Sequence, residues 1–177
     1  MMYLKEPSID EKDRLIDMCN EFNNCDDIYK FEGTFRLENL LTLEYENWLE
    51  QIEIDKHIED VNPDWSNATS YVLMDEFGHV YGFCSLRHHL KGNLINIGGN
   101  IGYGIRPTER GKGYGTVLLK LLLEKAKEIG LNKVLLTCRE NNDASRRLIE
   151  KLGGIKDYSV SSKIPGIMEL RYWIDIK

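Results

Sequence analysis

Ile101-Gly102-Tyr103-Gly104-Ile105-Arg106-Pro107-Thr108-Glu109-Arg110-Gly111-Lys112-Gly113-Tyr114-Gly115-Thr116 is the stretch that decides the reading of this chain. Ile101, Tyr103 and Ile105 alternate with smaller residues, as in a strand. Pro107 then removes a backbone donor and fixes a turn. Arg110, Gly111, Gly113 and Gly115 bring bare backbone to the start of a helix. Unsatisfied N–H groups and the positive end of the helix dipole make an anion site there, and glycine lets a pyrophosphate approach closely. Arg110 and Lys112 add positive charge.

Three phosphate-binding patterns compete for this loop. Gly-x-x-x-x-Gly-Lys-Ser/Thr is absent. Gly-x-Gly-x-x-Gly nearly starts at Gly111, but its third glycine falls on Thr116, and that fingerprint usually opens a domain. Arg/Gln-x-x-Gly-x-Gly/Ala is met by Arg110, Gly113 and Gly115. Three fixed positions recur by chance, so the motif alone does not separate a cofactor loop from an ordinary Gly-rich turn.

Outward from the loop, the apolar spacing of Leu118, Leu122, Ala126 and Ile129 predicts a helix over 113–129, stopped by Gly130. Val134-Leu135-Leu136, inside a strand over 133–138, reads as covered on both faces, as in parallel pairing across a helical crossover. A short helix over 142–152 ends at Gly153-Gly154. Two strands close the chain, and in the last Met168, Leu170, Tyr172, Ile174 and Ile176 share one face. That strand could pair across a homodimer or finish a monomer core.

Upstream, strands over 70–75 and 79–88 form a hairpin about Glu76-Phe77-Gly78, and a loop over 91–99 leads to Ile101. Before the hairpin, Ser8 and Glu11 form a capping-box pattern ahead of Leu15, Met18, Cys19 and Phe22 at helical spacing. A second helix is expected over 37–57, closed by Asn62-Pro63-Asp64. The order is two helices, a hairpin, strand-helix-strand-helix and two strands: an α/β domain with a mixed sheet.

The 177 residues suit one domain, 1–177, and a composition 42% hydrophobic and 29% charged supports a real core. A net charge of -6 argues against nucleic acid as a partner. No stretch spans a bilayer and no signal-peptide core precedes the domain, which places the protein in the cytoplasm, away from membranes. Cys19, Cys25, Cys84 and Cys138 read as free thiols, and neither they nor the four histidines stand at metal-ligand spacing.

The loop does not stand alone. Asn141-Asn142-Asp143-Ala144-Ser145-Arg146-Arg147-Leu148-Ile149-Glu150-Lys151-Leu152-Gly153-Gly154 resembles the second signature of the GNAT acetyltransferase superfamily, whose members bind acetyl-coenzyme A on such a glycine turn. The resemblance covers about residues 70 to 176. It implies a mixed, mostly antiparallel sheet with a splayed parallel strand pair at its centre and helices on both faces.

By that resemblance, pantetheine bonds to the backbone of Gly104, Ile105 and Arg106. The pyrophosphate lies on the amides of Gly111, Lys112, Gly113, Tyr114, Gly115 and Thr116 beside Arg110, while Asn142 and Ser145 contact the pantetheine arm. Asn142 also suits a plain helix N-cap. The implied reaction is direct acetyl transfer from acetyl-CoA to a primary amine, with a strand N–H polarising the thioester.

Two departures stand out. The family's frequent acid, a tyrosine, matches Ile149, and its frequent strand glutamate matches Gly98-Gly99-Asn100. Substitute candidates are Tyr158 as acid and His88 as base, each with an ordinary packed or surface role as the other reading. Glu44, Glu46, Glu50, Glu53, Asp55, Glu59 and Asp60 could form an acidic wall that attracts a cationic amine, or a solvated helix face. Trp48 and Trp65 could stack on a substrate or pack in the core. The alternative from another class is a non-catalytic acyl-CoA sensor; a nucleotide-binding domain using the Gly111 loop is the third.

Overall fold

A computed structural model describes residues 1–62 and 64–176. Among the described residues, seven strands form two sheets. The first has the order β1-β2-β3-β4, from Met2–Lys5, Ala68–Asp75, Val80–Arg87 and Ile101–Ile105. The second has the order β5-β7-β6, from Lys133–Arg139, Met168–Asp175 and Ile155–Ser161. The helices are α1 (Lys12–Asn24), α2 (Tyr45–Asp55), the single turn α3 (Ile58–Val61), α4 (Tyr114–Glu128) and α5 (Asp143–Lys151).

Two apolar clusters hold these layers together. Leu118, Leu122 and Ala126 of α4 and Ile149 of α5 pack on Val134, Leu136, Tyr172 and Ile174. Leu15, Met18 and Phe22 of α1 and Trp48 of α2 pack on Val72 and Phe83 from the other face of the first sheet.

β1 is an addition to the sequence reading. Four residues are too few to show a period, and its pairing with the edge of β2 is a long-range choice. The expected helix over 37–57 is broken into a 3-10 turn, Leu37–Leu41, and α2, with the single turn α3 following beyond it. Trp48 Nε1 donates to the Arg36 carbonyl at 2.8 Å. An unbroken helix would hold those residues about 18 Å apart along its axis. Folding back lets Leu37 and Trp48 enter one core, and Arg36 takes a left-handed conformation (φ 69°) at the bend. Pro63, expected to close this region, lies outside the described residues.

All recorded ladders are antiparallel. The apolar run in β5 is covered on both faces as expected, but its ladder partner is β7, not a parallel strand. Toward β4 its neighbour is Asn100. Asn100 N donates to the Leu135 carbonyl at 2.8 Å, and Leu135 N donates to Asn100 Oδ1 at 2.9 Å. Gly99 permits this approach, because a Cβ there would lie 2.2 Å from the Leu135 oxygen. β7 lies between β5 and β6 with both edges paired, so it completes its own sheet and has no edge for a dimer.

Candidate active site

Beyond the Asn100–Leu135 junction, β4 and β5 share no ladder, and a trench opens between them. The alternation of β4 decides what faces it. Arg87 N bonds to the Asn100 carbonyl and Arg106 N to the Tyr81 carbonyl. Antiparallel pairing therefore turns the N–H groups of Gly102 and Gly104 toward β3, and those of Tyr103 and Ile105 toward the trench.

One half of the trench is a cavity of about 370 Å³. Of the expected contacts, Gly104, Ile105, Arg110, Gly111, Gly113, Tyr114, Gly115, Thr116, Asn142 and Ser145 line it. The backbone N–H groups of residues 111 to 115 have no acceptor among the described residues. Gly111 (φ 77°) and Gly113 (φ 90°) supply the left-handed turns that aim these groups outward, and Gly113 caps α4.

Arg106 and Lys112, expected to contribute through their backbone, turn their side chains away from the cavity. The Arg106 side chain points to α1, where Glu21 and Asp17 hold its guanidinium, leaving it 8% exposed. Lys112 turns to Glu109 at 3.0 Å on the surface.

A segment over 25–36 straps the cavity. Asp27 Oδ2 lies 3.1 Å from Arg110 Nη1, and the Glu32 carboxylate accepts from Arg139 Nε and Nη2 at 2.7 and 2.6 Å. The Tyr29 ring lies 3.2 Å from the Arg139 guanidinium carbon. Arg110 also donates to the Ile105 carbonyl and lies over the Phe22 ring.

The other half is a cavity of about 450 Å³, and Glu32, Tyr103, Asn142 and Ser145 line both halves. Asn142 caps α5 by accepting from Ser145 N at 3.1 Å. Tyr103 Oη and Ser145 Oγ are 2.9 Å apart at the junction. Burial pushes the Tyr103 phenol up to about 12, despite the Ser145 hydrogen bond that lowers it.

Glu169, on β7, lines this second half and is 7% exposed. Burial raises its carboxyl above the usual glutamate range, helped by Glu32 and opposed by the Thr137 hydroxyl and Arg139. Arg87, at the end of β3, and Lys163, between β6 and β7, also line it. None of these three carries a motif, so no local pattern could have found them; the sheet order brings them together.

The proposed acid and base sit elsewhere. His88 Nε2 bonds to Thr69 Oγ1 at 2.8 Å and lines neither cavity, and burial lowers its pKa. Tyr158 is 50% exposed beneath the Arg171 guanidinium and also lines neither. Ile149 is fully buried in the core. The acidic run does not reach the second cavity: Asp55 is held bidentately by Arg36, Glu46 pairs with Lys12, Glu53 with Lys56 and Glu59 with Lys91. Trp48 is core, whereas Trp65 is 45% exposed and lines a neighbouring cavity.

The four cysteines are free, and among the described residues no group of His, Cys, Asp and Glu could hold a metal. No helix among them is long and apolar enough to cross a membrane.

Residues 35–154 match the family model described as the acetyltransferase (GNAT) family. The chain belongs to this family. Solved structures share the GNAT fold along the whole chain. Spermidine N-acetyltransferase from Vibrio cholerae, in complex with CoA and spermine, is 20% identical, with a TM-score of 0.65 over 99% of this chain and 95% of that one. YncA from Salmonella typhimurium, with its cofactor acetyl-CoA, is 16% identical, with a TM-score of 0.64 over 99% and 94%. RimL, a ribosomal-protein alpha-N-acetyltransferase in complex with coenzyme A, is 13% identical, with a TM-score of 0.70 over 99% and 94%. No curated protein matches the chain in sequence.

Proposed function

We propose that this GNAT chain is an N-acetyltransferase that moves an acetyl group from acetyl-CoA to a primary amine by direct attack in a ternary complex. The carrying observation is the meeting of two cavities at Tyr103 and Ser145. One is floored by acceptor-free amides at a helix N-terminus, and the other contains a buried carboxylate. The CoA-bound and acetyl-CoA-bound neighbours support the first assignment.

In this reading β4 and β5 are the splayed pair. Pantetheine runs along the β4 edge with its pyrophosphate on residues 111 to 116. The thioester carbonyl accepts from the trench-facing N–H of Tyr103 or Ile105, which also holds the developing oxyanion.

The acceptor enters from the second cavity as an ammonium, because an amine of pKa about 10.4 is protonated at pH 7. Glu169 takes one proton, and its raised pKa suits that task. The freed nitrogen forms the C–N bond. The tetrahedral intermediate then breaks its C–S bond, and the second nitrogen proton passes to the departing thiolate past the Tyr103–Ser145 hydroxyl pair. The products are an amide, a thiol and a protonated Glu169, which then releases its proton to solvent.

Calorimetric titration with acetyl-CoA, with NAD and ATP as controls, tests the cofactor. One-site binding of acetyl-CoA alone is expected. Thiol release on adding amines then separates an enzyme from a sensor, which would bind and release nothing.

A further inference from the structure

The charges of the second cavity do not suit a polyamine. Its charged lining is Glu32, Glu169, Arg87 and Lys163. Glu32 is already clasped by Arg139. What remains is one carboxylate facing two cations.

Arg87 is a guanidinium lacking a counter-ion. It is partly buried, and Nη1 donates to the Gly99 carbonyl at 3.0 Å. Its face lies over the Phe35 ring at 5.5 Å. Among the described residues no carboxylate lies within ion-pair distance of it; Asp55, the acid whose charge acts on it, is held by Arg36. Burial accordingly lowers its pKa below the ordinary guanidinium range, only partly offset by Asp55. Lys163 is exposed at the cavity mouth and makes no recorded ion pair. A half-desolvated fork with unspent N–H groups is a ready site for an oxyanion, which it would hold through charge-assisted hydrogen bonds.

We propose that the acceptor is an amino acid: one small molecule whose amine meets Glu169 and whose carboxylate is held by Arg87, with Lys163 at the entrance. This rests on the acetyltransferase reading above and adds the substrate class to it.

The test is thiol release at saturating acetyl-CoA with matched triplets: L-phenylalanine, L-phenylalaninamide and phenethylamine, and L-methionine, L-methioninamide and 3-(methylthio)propylamine, with spermidine alongside. The amides have the less basic amines, so a preference for the acids over them cannot come from basicity. The expected result is kcat/KM for at least one acid about tenfold or more above its amide and amine. Arg87→Met should bring that ratio near one while acetyl-CoA affinity by calorimetry is unchanged, and Arg87→Lys should restore part of it.

Acetylation of amides, amines or spermidine without any acid preference, no acetylation of either amino acid, or a preference that survives Arg87→Met would each overturn the proposal. If acetyl-CoA itself fails to bind, the acetyltransferase reading fails first; binding with amine turnover but no acid preference sinks only this inference.

Discussion

Arg110 Nη1 lies 3.1 Å from Asp27 Oδ2, so the arginine lining the proposed pyrophosphate site is already paired across the cavity. A pyrophosphate seated on the α4 N-terminus must compete with that carboxylate. Both partners are roughly two-fifths exposed, which keeps the pair weak. Asp27→Asn should therefore tighten acetyl-CoA binding about two- to fivefold, and more at low ionic strength, where screening is less. Calorimetry at two salt concentrations measures this; weaker binding would mean that the strap supports the cofactor instead of competing with it.

The loop itself admits a sharper test. A Cβ at Gly113 meets no atom within 4 Å, so a side chain there fits the fold, although φ of 90° strains it. Gly113→Glu puts a carboxylate beside the amides meant for the pyrophosphate. Like charges a few ångströms apart should weaken acetyl-CoA binding by about 100-fold or more, with thermal stability lowered by only a few degrees. Unchanged affinity in a folded variant would show that the phosphates lie elsewhere.

How much of this was readable in advance varies with the length scale of the interaction. The glycine spacing of 111–115, the α4 and α5 boundaries and the β2–β3 hairpin depend on neighbours in sequence, and all were legible. The destination of the Arg106 side chain was not: strand geometry turns it to Glu21 on α1. β1 and the break before Tyr45 were hidden because each is imposed by a distant partner, β2 in one case and the Trp48–Arg36 bond in the other. Glu169 and Arg87 join the site only through the strand order of two separate sheets.

One stability prediction follows from the capping box at the head of α1. Glu11 is 2% exposed and accepts from Ser8 N at 3.0 Å, from Ser8 Oγ at 2.8 Å and from Lys5 Nζ at 2.7 Å. Burial alone would raise its carboxyl, but the Lys5 and Ser8 hydrogen bonds outweigh it and the pKa falls below the usual glutamate value. A depressed carboxylate stabilises the fold above its unfolded pKa, and that stability is lost as pH falls through the folded value. Glu11→Gln should cost about 1 kcal/mol at pH 7, a melting decrease of about 2–4 °C. Below about pH 4 the gap to wild type should shrink. A gap independent of pH would mean that shape, not charge, holds this corner.

Glu169 has the opposite sign, which separates a catalytic from a structural role. Its pKa is raised, chiefly by burial, so its ionised form is disfavoured in the fold. Stability drawn from this group is present below the unfolded glutamate pKa and declines as pH rises through the folded one. Glu169→Gln should leave stability at pH 7 equal to wild type or higher, and acetyl-CoA affinity unchanged. Turnover should nonetheless fall about 100-fold or more, the range of a lost general base. In wild type the acid limb of kcat/KM against pH should have its midpoint above the ordinary glutamate value, and it should vanish in the variant. A folded variant that keeps wild-type turnover would remove Glu169 from the chemistry.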